Sequence, residues 1–400
     1  MRKISADYIF PVSSAPIKNG IVVVDEDGTI ASPPAPRPNG SSGRALLKEM
    51  GEVERYEGII VPGFVNVHCH LELSHLKGQI TKQKGLTGFI SELLPKREGF
   101  SPEQVKAAID AADEEMWKNG IVAVGDISNT DHSFEKKKKS KIAYHTFIEI
   151  FDLIAEKADE KLKAATTLNF KLGTLNSSIV PHAPYTVSGK LMELIDRLQP
   201  AVLSIHNQET ASENELFVSG TGPLAELMQK AGVDVELKHK AGSSPLFTMS
   251  RLIEAGKILL VHNTYTSKQD LDTIKNCIAA SGQEVLLCLC PRANLFIENR
   301  LPDIAMFMKE GMKLAIGTDS LASNDSLSML DELKVIAKHF PEIPFQTLIT
   351  WATQNGAEAL GMGQTLGTIE KGKRPGLNLV KGVNLEKMKL EDRTVVEKLV

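Results

Sequence analysis

VPGFVNVHCHLELSH, residues 61–75, decides how this chain is read. Pro62 and Gly63 open a valine-rich run, and that composition belongs to a strand rather than a helix. In an extended strand alternate side chains share a face. Phe64, Asn66, His68 and His70 therefore project together, and Val65, Val67 and Cys69 project the other way. Two imidazoles two positions apart converge on one point, which a helix would not allow. Converging neutral imidazoles suit a divalent transition metal, zinc first. An isolated H-x-H also describes two hydrogen-bonded core histidines, so the rest of the chain has to decide between them.

Outward from this run, short apolar, β-branched segments recur as far as residue 320. They are VPGFVNVHCH itself, then IVAVGDIS from 121, KIAYHTFIEIF from 141, SSIVPHAP from 177, AVLSIHNQE from 201, KILLVHNT from 257, EVLLCLCPRAN from 284 and KLAIGTDS from 313. Between them lie amphipathic stretches that close on glycine, the residue expected at a helix C-terminus. Examples are SPEQVKAAIDAADEEMWKNG (101–120), GPLAELMQKAG (222–232) and KQDLDTIKNCIAASG (268–282). Eight strands alternating with helices predict parallel βαβ units in an α/β fold, and eight allow a closed TIM-type (β/α)8 barrel. An open doubly wound sheet is the other α/β solution, but no G-x-G-x-x-G follows the first strand.

The two ends differ from this middle. Residues 1–60 carry the run GIVVVDEDGTI (20–30), a loop-like SPPAPRPNGSSG (32–43) and a second β run near YEGIIV, and strand and turn character returns from Gly367. The expected organisation is a barrel over 61–365 and a small β-sandwich domain built from 1–60 and 366–400. With 42% hydrophobic and 24% charged residues the composition is that of an ordinary globular protein. A net charge of -4 offers no footprint for nucleic acid or an anionic membrane. The one basic run, Lys136 to Lys139, reads as a solvated helix end or loop. Cysteines at 69, 277, 288 and 290 lack C-x-x-C spacing, which suits a reducing compartment. No apolar run has the length of a signal peptide or a membrane span, so the expectation is a cytoplasmic protein.

Polar residues recur at the C-terminal ends of the proposed strands, where barrels of this type build their active sites. His68 and His70 end the first, His206 and Glu209 the fifth, His262 the sixth and Asp319 the eighth. Each alone is ordinary, since a strand-end histidine is commonly a satisfied polar group and the Asp of GTDS a helix cap. Their joint register points to one metal-centred site.

The order H-C-H, PHAPYTVS (181–188), HNQE (206–209), VHN (261–263), CPRAN (290–294) and GTDSLASN (317–324) resembles the amidohydrolase superfamily, in its mononuclear deaminase and chlorohydrolase branch. The segment GTIEKGK (367–373) resembles the return to the small β-domain in that group. The resemblance implies one zinc ion per chain, iron in some relatives, with His68, His70, His206 and Asp319 as ligands. It implies Glu209 and His262 as the proton-handling pair, with Asp319 accepting a proton from the attacking water. It also implies substrate contacts from His182 and Ser323. HLELSHLKG is similar to aminodeoxyfutalosine deaminases in carrying Glu72. That residue shares parity with the two histidines, so it either contacts a sugar hydroxyl or ring nitrogen, or braces a ligand histidine.

The implied reaction replaces an exocyclic amino group by hydroxyl on a 6-aminopurine nucleoside, with aminodeoxyfutalosine, S-adenosylhomocysteine and methylthioadenosine as candidates. The alternatives are a free base such as guanine, a triazine chlorohydrolase, and a non-catalytic scaffold. A homodimer is implied by the resemblance alone. GLTGFISELLPKR (85–97) is expected to close over the substrate, with Phe89, Ile90, Leu93 and Leu94 as a core or subunit-contact stripe. Where relatives commonly continue the C-terminal turn with Asp-Ala-Asp, this chain has Arg374, Pro375, Gly376, Leu377 and Asn378.

Overall fold

Short apolar and β-branched runs, punctuated by Gly and Pro, produce fifteen strands among the described residues of the computed structural model, which are 1–36, 52–230, 232, 233, 235, 238 and 240–400. Five strands come first: β1 (Arg2–Ile9), β2 (Ile17–Lys18), β3 (Gly20–Val24), β4 (Ile30–Pro36) and β5 (Glu54–Pro62). Eight follow: β6 (Phe64–Cys69), β7 (Ile121–Ser128), β8 (Ala143–Ile150), β9 (Asn176–Pro181), β10 (Val202–Asn207), β11 (Lys257–His262), β12 (Glu284–Leu289) and β13 (Lys313–Ile316). Two close the chain, β14 (Leu377–Lys381) and β15 (Val395–Lys398).

The structure divides into two compact units. One comprises Met1–Asn66, Glu114–Ala123 and Ser328–Val400. Its seven-stranded sheet runs β15-β14-β5-β1-β3-β4, with β2 beside β1, so the first and last strands of the chain share one sheet. β5 pairs in parallel with β1 and antiparallel with β14. Ile4, Ala6 and Ile9 of β1 are fully buried with Val22, Ile60, Leu377 and Leu379, which form the core on that face. The stretch expected as a loop over 32–43 is strand as far as Pro36. Residues 37–43 lie outside the described residues. Pro33, Pro34 and Pro36 fit a strand here because β4 is the sheet edge, where a missing N–H breaks no ladder.

The other unit comprises Val67–Asp113 and Val124–Leu327. Eight strands are arranged as two four-stranded sheets, β6-β7-β8-β9 and β10-β11-β12-β13. The pairs β8/β9, β10/β11, β11/β12 and β12/β13 are all parallel. Burial on both faces explains the near-continuous hydrophobic runs of these strands, and all six residues of β6 are buried. Helices fill the connections. α1 (Gly85–Arg97) and α2 (Pro102–Lys118) lie between β6 and β7, and α3 (Phe134–Lys137) between β7 and β8. The helix over Lys268–Ser281 starts at a Ser267/Asp270 capping box and ends at Gly282, whose φ of 73° is the left-handed cap that glycine adopts freely. No helix among the described residues is long and apolar enough to cross a membrane.

Two backbone contacts join strand ends of different sheets. The N–H groups of Thr318 and Asp319, just after β13, both donate to the carbonyl of His68 in β6 (3.0 and 3.1 Å). The N–H of His206 in β10 donates to the carbonyl of His182, just after β9 (2.9 Å).

The basic run differs from its reading. Lys137 is not solvated: its side chain is fully buried against Asp126 of β7, with Nζ 2.5 Å from the carboxylate. It also donates to Ser128 (2.9 Å) and Thr146 (3.2 Å). Four like charges in a row look like a solvated face, but a helix turn sends one of them inward where a carboxylate waits.

Candidate metal centre and active site

The parallel strands carry their polar residues to one end, and there the imidazoles meet. Nε2 of His68 and Nε2 of His70 are 3.2 Å apart. Oδ1 of Asp319 lies 3.5 Å from Nε2 of His70 and 3.8 Å from that of His68. The rings of His68 and His206 stand edge to face at 4.9 Å, and those of His206 and His262 stack at 5.5 Å. Donor atoms of His68, His70 and Asp319 lie within 4.8 Å of one another, as do those of His68, His206 and His262.

Hydrogen bonds set which nitrogens face inward. Nδ1 of His206 lies 2.8 Å from the carbonyl of His182. A carbonyl only accepts, so Nδ1 carries the proton and Nε2 is left as a ligand atom. Burial, together with neighbouring imidazoles, pushes His70 and His206 down to about 3 and His68 well below its ordinary value. Neutral imidazole is the form that binds metal. Zinc bonds of about 2.0–2.2 Å place neighbouring ligand atoms roughly 3–3.6 Å apart. The separations at His68, His70 and Asp319 lie at or just beyond that range, so the residues present fit a zinc ion.

Asp319 is held on both sides of its carboxylate. Oδ1 faces the two histidines, and Oδ2 accepts from the Ser323 hydroxyl at 2.6 Å. Its φ of 57° is left-handed, as are His262 (73°), Asn263 (55°) and Gln208 (46°). Non-glycine residues in that region are uncommon and store strain. Gly317 is needed for close approach: a Cβ there would stand 2.8 Å from Cβ of His68 and 2.9 Å from Sγ of Cys288.

Glu209 and His262 face each other, with Oε1 3.6 Å from Nε2. Nδ1 of His262 pairs with Oδ1 of Asn294 at 2.9 Å, which leaves Nε2 toward the carboxylate. Burial pushes Glu209 up to about 7. Burial opposes charge on His262 too, but Glu209 and Asp319 outweigh it and its pKa lies above the ordinary value. The pair therefore holds a proton near neutral pH, as an acid–base catalyst requires.

A cavity of about 280 Å³ opens over this cluster. Its wall includes His70, His182, His206, Glu209, His262 and Asp319. Nδ1 of His182 bonds the Thr186 hydroxyl at 2.8 Å, which fixes the ring at the rim. Phe89, Ile90, Leu93 and Leu94 of α1 line the same cavity, so the stripe expected as core or subunit contact is pocket wall.

Ser323 and Glu72 lie behind that wall. Ser323 is fully buried against Asp319. Strand parity does not carry to Glu72, because residues 71–76 form a 3-10 turn. Its carboxylate instead accepts from Arg97 (2.7 Å), from the N–H of Asn129 (3.2 Å) and from the N–H and hydroxyl of Thr130 (3.1 and 2.8 Å). Sequence reasoning missed Glu149, whose Oε1 is 3.6 Å from Nδ1 of His206 and whose Oε2 accepts from Asn129 (3.0 Å). A lone acid near the end of the apolar run YHTFIEI was the available signal.

Comparison with known proteins agrees with this arrangement. The chain is 26% identical over 381 residues to the 5-methylthioadenosine/S-adenosylhomocysteine deaminase of Bacillus cereus (strain G9842), covering 89% of this chain and 79% of that protein. Its fold matches the Helicobacter pylori aminofutalosine deaminase solved with methylthio-coformycin, with a TM-score of 0.77, 24% identity and full coverage of both chains. It also matches an adenosine deaminase from Xanthomonas campestris solved with bound zinc, with a TM-score of 0.70 and 23% identity over 97% of this chain and 86% of that one. Residues 59–399 match the amidohydrolase family model, and the chain belongs to the amidohydrolase family.

Proposed function

We propose that this protein is a zinc-dependent aminohydrolase that replaces the amino group of a 6-aminopurine nucleoside by hydroxyl and releases ammonia. The observation that carries the reading is the Glu209–His262 pair, 3.6 Å apart, facing the cavity that also holds the imidazole and carboxylate cluster. The deaminase name of the Bacillus cereus relative supports the same chemistry. In this reading the eight strands of the central run close as a (β/α)8 barrel over 61–365, and 1–60 with 366–400 form a small β-sandwich domain. The contacts of His68 with Thr318 and Asp319, and of His182 with His206, support that closure. Cytoplasmic operation and a homodimer belong to the proposal as well.

His68, His70, His206 and Asp319 would hold one zinc ion. When bound, the metal supplies Lewis acidity that makes water a nucleophile near neutral pH. Asp319 takes the proton of the attacking water, with Ser323 anchoring its second oxygen so that the first stays aimed inward. His262, its Nδ1 tied to Asn294, presents Nε2 to orient that water. Glu209, kept partly protonated near pH 7 by burial, gives a proton to a ring nitrogen of the substrate, regains one from the new hydroxyl and passes it to the departing amine, and the proton taken by Asp319 restores Glu209 for the next turnover. His182, fixed by Thr186, contacts the purine at the rim. Ser323 and Glu72 act on the substrate indirectly, through Asp319 and Arg97.

The test is ammonia release by the zinc-loaded protein from adenosine derivatives, free purines and pterins. Turnover of adenosine derivatives, lost in Glu209→Gln, is the expected result. Turnover of guanine with no nucleoside turned over would remove the proposed substrate class.

A further inference from the structure

The turn after β9 supplies His182, Tyr185 and Thr186 to the chamber over the imidazoles, and the Thr186 hydroxyl holds the His182 ring at 2.8 Å. The backbone of His182 is tied into the strands, since its N–H donates to Ile150 of β8 (3.0 Å) and its carbonyl accepts from the N–H of His206 (2.9 Å). The turn itself has fewer ties. The Thr186 N–H donates back to Ala183 (3.1 Å) and the Ser188 N–H crosses to Asp152 (2.8 Å), so the carbonyls of Pro184 and Val187 take their donor from elsewhere.

Lys238, in the connection between β10 and β11, serves both. Its Nζ donates to the Pro184 carbonyl (2.6 Å) and to the Val187 carbonyl, and lies 4.0 Å from the centre of the Phe247 ring. The residue is buried, and among the described residues no carboxylate forms an ion pair with it. Glu213, whose charge reaches it, is occupied by the Ser244 hydroxyl and the N–H of Glu209. Burial, with Arg251, lowers the amine to about 7 against the pull of Glu213, and either protonation state keeps two hydrogens for the two carbonyls. Tyr185 and Thr186 lie between those carbonyls. Pinning a planar peptide on each side of them fixes the direction in which their side chains leave the turn.

We propose that Lys238 is a positioning residue for substrate recognition. By holding the carbonyls of Pro184 and Val187 it aims Tyr185 and Thr186, and through Thr186 the His182 imidazole, at the nucleoside. Glu209, His262 and Asp319 come from the ends of β10, β11 and β13, so the clamp acts on binding and not on proton transfer. This rests on the deaminase reading of the chamber.

The test is steady-state ammonia release from adenosine derivatives by the full zinc-loaded chain and by Lys238→Met. KM is expected to rise about tenfold, the equivalent of one lost hydrogen bond to the substrate, and kcat to change less than about threefold. Zinc content should match that of the wild type, because the strands hold the His182 backbone. Thr186→Val should also raise KM, and combining it with Lys238→Met should add little, since residues acting through one contact are not additive. Phe247→Leu removes the ring face and keeps both carbonyls, so a smaller rise in its KM carries the test where Lys238→Met folds poorly. Calorimetric binding of purine riboside, which has no amino group to lose, gives a second readout. A fall in kcat at unchanged KM, loss of zinc with Lys238, or additive effects of Lys238→Met and Thr186→Val would overturn the inference and leave the deaminase reading intact. Weaker binding of purine riboside to Lys238→Met, with no ammonia released by any form, would support the clamp and count against deamination. No turnover together with equal binding would overturn both.

Discussion

The sheet β6 to β9 and the sheet β10 to β13 deliver site residues from their strand ends by different physical means. In the first, the residues around His70 are anchored by buried charge. Asp126 accepts the N–H of Leu71 at 2.7 Å, immediately after His70, and Lys137 neutralises that carboxylate from α3. Glu72, itself buried, pairs with the partly exposed Arg97. In the second sheet the means are turned backbone and amides. Gln208, His262, Asn263 and Asp319 all adopt left-handed φ. Asn263 donates to the Leu260 carbonyl (2.7 Å) and accepts from Asn207 (3.0 Å). Buried ion pairs demand complete partnership, because one partner left alone bears the whole desolvation cost. Left-handed turns backed by amides spread the cost over several smaller interactions. The first sheet should therefore fail abruptly and the second by degrees.

Lys137→Met should give the largest loss. It strands Asp126 without its cation and is expected to cost about 3–5 kcal/mol in urea unfolding, with weaker zinc retention because the Leu71 anchor loosens. Lys138→Met, one residue along and exposed, should cost less than about 0.5 kcal/mol. Similar losses in the two variants would erase the contrast.

Asn263→Ala probes the other sheet. It leaves the Asn207 amide only its longer bond to Gln208 (3.4 Å) and keeps a β-carbon in a left-handed conformation, so about 1–3 kcal/mol is lost from hydrogen bonding and about 1 more from the backbone. A loss larger than that of Lys137→Met would reverse the ranking of the two sheets.

Gly317→Ala tests the place where the sheets approach each other. The added carbon meets His68 and Cys288, and overpacking of this kind costs about 1–3 kcal/mol. Zinc affinity should fall along with stability, since a ligand histidine has to move. Unchanged affinity would mean that the neighbouring sulfur gives way instead.

An effect read only as a slope against pH belongs to Glu213, a fully buried carboxyl in the helix after β10 that bonds the Ser244 hydroxyl and accepts from the N–H of Glu209. Burial raises it from 4.5 to about 7. The folded state therefore binds this proton more tightly than the unfolded chain does. Its contribution to stability is complete below pH 4.5 and is lost as pH rises through about 7. Glu213→Gln should flatten the decline of stability across that window, measured by denaturation at a series of pH values. An unaltered slope would show that Glu213 keeps the same proton in both states.

Much of the site was legible because strand parity and the order of polar residues at strand ends are local properties. His68, His70, His206, Glu209, His262 and Asp319 could be placed together from spacing alone once parallel strands were accepted. The supporting residues were not. Glu149 was hidden in an apolar run, Arg97 at the end of an apolar helix, and Lys137 among like charges. Their roles depend on which strand or helix lies across from them, and no local pattern records that. Glu72 was assigned by extending strand alternation past Cys69, where the chain has already turned. The prolines of β4 read as a loop because a strand interior excludes them, whereas the rim of a sheet does not.

That rim has a consequence for assembly. Three of the seven residues of β4 are prolines, so the outer margin of the terminal sheet presents gaps where a neighbouring chain would look for amide hydrogens. Growth of the sheet by addition of a foreign strand is blocked on that side. The segment that seemed least structured in the sequence thus helps keep copies of the protein from zipping together in a crowded cell.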